Sequence, residues 1–259
     1  MEAWLIGVIV FVCVFGGALC ALTMRDYLRD HHRTSETQDL VKLGVGTIAT
    51  LASLVLGLMT ASVKGNFDDA NRNVQLFAGG AERLDDTLRR YGPDADTARA
   101  RLQHFVVKAA HGLWPDAILT IPAIPEEKGR TPADLIRGVE TSIRMLQPTT
   151  PVQTELRSEA LSEFATLWSL GQQLIADREA TLPTAFTVVL ACWLTVIFIG
   201  FGLFAPRNAV TVTALLICAA SLAAAVFLVQ EMSGPFDGIV VVPQTPFLHT
   251  LSTMARPSL

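Results

Sequence analysis

The residues of this 259-residue chain best suited to chemistry lie in one apolar run: Gly46, Thr50, Ser53, Gly57 and Thr60, followed by Lys64. Spacings of four, three, four, three and four keep them on one narrow side of an α-helix. Such a stripe has two uses. It lets a second helix approach closely through small-residue packing, or it lines a wet pathway in which hydroxyls hydrate a moving ion. The sequence leaves both open. A later apolar run carries Ala214, Cys218, Ser221 and Ala225 in a similar pattern, so the two helices are expected to pack along these faces.

Lys64 and Glu231 close two apolar runs at the same end and are the expected ion pair, either a structural bridge at an interface or a charged mouth. Gly234-Pro235-Phe236-Asp237-Gly238 then signals a tight turn, because Gly and Pro stop a helix and Asp-Gly favours reversal. His31 and His32 are adjacent, so on a helix they point about 100° apart and cannot share a metal as an i, i+4 pair does. They read as loop residues. No Cys pair has zinc spacing, and there is neither a nucleotide-binding glycine loop nor a nucleophile elbow. The expectation is therefore no metal, no cofactor and no enzymatic activity.

The elements that hold these residues follow from where charge is missing. Hydrophobic residues make up 51% of the chain and charged residues 17%, greasier than an ordinary soluble domain. The net charge of −4 is spread out without a basic stripe, which argues against a nucleic-acid partner. Cys13, Cys20, Cys192 and Cys218 all fall inside apolar runs and read as small packing residues. Four uncharged stretches, each roughly 21 to 27 residues, are long enough to cross the hydrocarbon core. They place transmembrane helices at about 3–24, 41–64, 183–204 and 208–230. None holds a charge at its centre, which argues against a proton relay.

Residues 65–182 have ordinary polarity and read as a helical extramembrane domain, and 232–259 as a C-terminal tail. Val74, Phe77, Ala81, Leu84, Leu88 and Tyr91 form one apolar stripe that Gly92-Pro93 ends. A second helix is expected from Asp94 to Gly112, closed by Trp114-Pro115, with the main loop at 115–129. Thr131-Pro132-Ala133-Asp134 is a helix start, and Leu156, Ala160, Phe164, Leu167 and Leu174 give a further buried face. Two arrangements remain open: a helical stalk continuing the second span, or a separate bundle joined by breaks at Gly65 and Leu182. Arg25, Arg29, Arg33, Lys42 and Arg207 lie near the short loops, so the positive-inside rule favours cytoplasmic short loops and an extracytoplasmic domain.

Several stretches carry a resemblance: Val41-Lys42-Leu43-Gly44-Val45-Gly46, Thr50-Leu51, Leu54-Val55-Leu56-Gly57-Leu58, Leu84-Asp85, Tyr91-Gly92-Pro93 and Trp114-Pro115. Further on come Phe201-Gly202-Leu203-Phe204-Ala205 with the loop motif Pro206-Arg207-Asn208, then Glu231-Met232 and Pro235-Phe236-Asp237-Gly238. In order along the chain, they resemble the bacterial membrane proteins catalogued as a bestrophin-like domain of unknown function. The resemblance implies an all-α polytopic protein related to bestrophins, which are pentameric anion channels with a helical domain between the second and third spans. It also implies a cytoplasmic domain, opposite to the charge count. The expected function is a homo-oligomeric ion channel of the bacterial inner membrane, with the bilayer, further copies, and chloride or another small ion as partners. The rival is a non-conducting scaffold or sensor whose helical domain binds a partner.

Overall fold

The computed structural model describes residues 3–24, 35–115, 131–179 and 182–255. Among them are eight α-helices and no strand: α1 (Ala3–Met24), α2 (Ser35–Tyr91), α3 (Asp96–Leu113), α4 (Pro132–Arg144), α5 (Pro151–Glu179), α6 (Thr184–Phe204), α7 (Ala209–Met232) and α8 (Thr245–Met254). His31, His32, Arg25, Arg29, Arg33 and most of the loop expected at 115–129 lie outside the described residues. The chain forms two compact units. One comprises Met1–Phe67, Thr181–Gly234 and Gly238–Val240, and the other Asp68–Ala180, Pro235–Asp237 and Val241–Leu259.

Four helical stretches are long and apolar enough to cross a bilayer: α1, one within α2, one within the run from α5 into α6, and α7. α1, α6 and α7 are apolar all round, so amphipathic pattern cannot choose their contact faces and small residues do so instead. A Cβ at Gly7 would stand 3.0 Å from Phe227 Cβ, and one at Gly17 would stand 3.2 Å from Thr195 Cγ2. At Gly202 a Cβ would run into the Ala18 carbonyl oxygen. These close approaches seat α1 against α6 and α7, around a core that includes Val14, Ala18, Leu194, Phe198, Ala219 and Val226. α2 joins that core through Ala52, Met59 and Val63, and Val45 fills the space left by Gly200. Ile48, Ala49, Val55 and Leu56 pack half-buried against it, and most of the rest of this apolar stretch is exposed. Only 11% of the apolar window of α2 is buried, against 28 to 33% for the other three.

α2 continues through Gly65 without a break, as the stalk arrangement requires. A lone glycine inside a helix costs about 1 kcal/mol relative to alanine, too little to interrupt a long helix held on both sides. On the return side α5 is described as far as Glu179, and Leu182 and Pro183 are not helical.

In the second unit the expected stripe from Val74 to Tyr91 is buried, and Gly92, at φ 112°, turns the chain where a Cβ-bearing residue would be strained. A capping box between Thr131 and Asp134 starts α4, and the Thr150 hydroxyl accepts the Gln153 N–H at the start of α5. Leu156, Ala160, Phe164, Leu167 and Leu174 form the buried face of α5. The stretch read as a tail is not one. It carries α8, which buries Phe247, Thr250 and Met254, with Phe247 stacked on Phe77 at 5.3 Å. Short and rich in Thr, Ser, Pro and His, α8 lacks the long apolar period that marks the other helices.

Candidate functional site

Gly46, Thr50, Ser53, Gly57 and Thr60 all lie on the exposed side of α2. Nothing within 4 Å would meet a Cβ at Gly46 or Gly57. The hydroxyls of Thr50, Ser53 and Thr60 donate to the carbonyls of Gly46, Ala49 and Leu56 at 3.0, 2.8 and 2.8 Å. Each donor is thereby satisfied within the helix, and oxygen lone pairs remain on the outer surface. The stripe is therefore hydrophilic yet tolerable in an apolar surrounding. The α7 series does not cover it. Ala214, Cys218 and Ser221 are exposed and Ala225 half-buried, because α7 turns Leu215, Ala219, Ala223 and Val226 inward instead. The expected packing of the two small-residue faces within one chain is thus corrected: both look outward.

Glu231 is buried at the end of α7 and accepts a hydrogen bond from the backbone N–H of Ile239. That donor is the main chain of the following turn, and Lys64 stands exposed on α2. Gly238 has φ 105°, and a Cβ there would strike the Glu231 carboxylate, so glycine is needed on both counts. Pro235 accepts at its carbonyl from Val242 N–H at 2.8 Å, Phe236 is buried, and Asp237 is exposed. The loop motif divides into three structural tasks. Pro206 follows the end of α6 at Phe204, and the Asn208 side chain caps α7 by accepting Thr211 N–H at 2.7 Å. Between them Arg207 donates to the Leu22 and Thr23 carbonyls at 2.8 Å each, capping the end of α1.

A family model for the bestrophin-like domain matches residues 11–247. The chain belongs to the bestrophin-like family. Crystal structures of a bacterial bestrophin homologue from Klebsiella pneumoniae share the fold. One mutant form superposes with a TM-score of 0.69 at 16% identity, covering 96% of this chain and 99% of that one. A second mutant gives 0.68 at 15% identity over 96% and 95%. The form phased with zinc gives 0.66 at 15% over 95% and 96%. A search of curated proteins finds no match.

Other motif residues of this bestrophin-like chain build its second unit. Asp85 is buried and accepts from Arg89 Nη2 at 2.9 Å and from Arg99 Nε and Nη2 at 3.0 and 3.1 Å. Arg99 also donates to the Met254 carbonyl, as does Gln103 at 2.6 Å, so the cluster receives the last turn of α8. Trp114 donates from Nε1 to the Val242 carbonyl at 3.0 Å and meets Phe236 and Phe247 edge-on at 5.5 and 5.4 Å. Sequence reasoning singled out Asp85 and Trp114 but not Arg99 or Val242. Fourteen and 128 residues away, neither falls within any helical or turn spacing.

Proposed function

We propose that this bestrophin-like protein is a homo-oligomeric ion channel of the bacterial inner membrane, with α2 lining the pathway. One observation carries the reading: of four apolar stretches, α2 is the least buried, and its bare side presents Gly46, Thr50, Ser53, Gly57 and Thr60. Several copies sharing an axis would surround it with hydroxyl oxygens and small residues, leaving room for a hydrated ion. The bestrophin likeness points to chloride or another small anion. The second unit then lies outside the bilayer, and the charge count favours the extracytoplasmic side.

Thr50→Cys in a chain whose native cysteines are replaced tests this directly. A water-soluble thiol reagent is expected to modify it in the assembled protein. Failure to react, while a cysteine placed at exposed Arg137 reacts fully, would assign the stripe to dry packing and favour the scaffold reading.

A further inference from the structure

The second unit holds a cleft that ion passage along α2 does not use. It lies between α4 and α5 and encloses about 240 Å³. α4 contributes Ile136, Glu140 and Arg144, four residues apart and so on one side of the helix, and α5 contributes Leu161, Phe164, Ala165 and Trp168. Arg157 lies on the same side of α5, one turn before Leu161, and its Nη2 donates to the Arg144 carbonyl at 2.7 Å. That bond fixes the register of the two helices and puts Arg157 at the Arg144 end of the cleft. Ile136 and Phe164, 1 and 7% exposed, make an apolar floor, and Trp168, toward the other end, is 39% exposed.

The Arg144 end carries the charge. Arg144 directs Nε and Nη2 to a single oxygen of Glu140, at 2.9 and 2.8 Å, with its side chain 63% exposed. An ion pair so open to water holds weakly, so Arg144 can turn to a ligand at small cost. Arg157 has no carboxylate partner among the described residues: it donates to the neutral Arg144 carbonyl, and its Nε is buried without a hydrogen-bond partner. Two guanidiniums thus face one carboxylate, which leaves a positive charge in excess and a buried N–H without an acceptor. A buried donor left unbonded is costly, and an incoming carboxylate satisfies it with a charge-assisted bond.

We propose that the cleft binds a small, flat aromatic carboxylate, with its rings against Ile136, Phe164 and Trp168 and its anionic head at Arg144 and Arg157. At an interior packing density of about 0.75, the cleft holds roughly 180 Å³ of atoms, the size of two fused rings with a carboxylate. A long acyl chain exceeds that volume. A bare inorganic anion leaves the apolar floor in water.

Binding here needs no conduction, so the cleft and the channel stand or fall separately. Equilibrium dialysis of 2-naphthoate against the full chain in lipid nanodiscs, with empty nanodiscs subtracted, should show saturable binding. It should be about tenfold tighter, or more, than binding of 2-naphthylmethanol, which keeps the rings and loses the charge. Arg157→Gln should remove that preference, and Arg157→Lys should restore part of it. Ala165→Phe fills the cleft from an exposed position and should abolish binding of both probes while leaving the thermal midpoint nearly unchanged. Equal binding of acid and alcohol, or a preference untouched by Arg157→Gln, would overturn the anionic head. Saturable binding that survives Ala165→Phe would place the probe elsewhere and overturn the site. So would binding no greater than to empty nanodiscs, the result expected where another segment or a second copy covers the cleft.

Discussion

Removing the Asp85 carboxylate tests the logic of the second unit most sharply. The Asp85 and Arg99 side chains are 2% and 8% exposed, so the pair is held out of water and salt screens it little. Asp85→Ala leaves the Arg99 guanidinium buried beside Arg89, with the exposed Asp96 carboxylate, 3.8 Å from its Nη1, as the remaining counter-charge. Stranding a buried charge in this way costs about 3–5 kcal/mol. The double variant Asp85→Leu with Arg99→Met removes both charges and fills the space, an exchange that is near neutral or stabilising in buried pairs. In the full chain in detergent, at about 3 °C per kcal/mol, Asp85→Ala should lower the thermal midpoint by about 10 °C. The double variant should recover most of that loss. A midpoint unchanged by Asp85→Ala, or a double variant as unstable as the single one, would refute the reasoning, because it would mean that the pair is wet or that the carboxylate acts through shape alone.

Two further outcomes follow from local geometry. Gly238→Ala forces a side chain into φ 105° and onto the Glu231 carboxylate, and should cost about 1–3 kcal/mol by thermal unfolding, whereas Asp237→Ala, at an exposed position, should change little. Burial pushes the Tyr91 phenol above its ordinary value, with Asp94 adding and Arg157 opposing. The neutral phenol is therefore favoured in the fold, and its contribution is complete below about pH 10 and lost as pH rises through the higher folded value. Among the described residues its hydroxyl finds no hydrogen-bond partner, so Tyr91→Phe should match or exceed the parent at neutral pH and lose less stability above about pH 10.

The four spans were legible because missing charge is a one-dimensional signal that needs no partner, and the Val74 to Tyr91 and Leu156 to Leu174 faces because period alone sets which side is buried. The Thr131 and Asp134 cap was legible for the same local reason. What α2 and α7 turn toward was not. A helix apolar on every side carries no amphipathic mark, so nothing in the sequence of α7 tells the inward Leu215 from the outward Cys218. The Glu231 partner was hidden because it is a main-chain N–H presented by a turn, which has no side-chain signature. α8 was hidden because its docking depends on Arg99 and Gln103, residues about 150 positions away that become neighbours only in the fold.

The claim that matters most is conduction. Purified protein reconstituted in liposomes should pass small ions, chloride first, and Thr50→Cys channels should lose that flux when a bulky water-soluble thiol reagent is added. Bilayers that stay silent across voltage and pH, with the protein shown by light scattering to be assembled, would contradict the account.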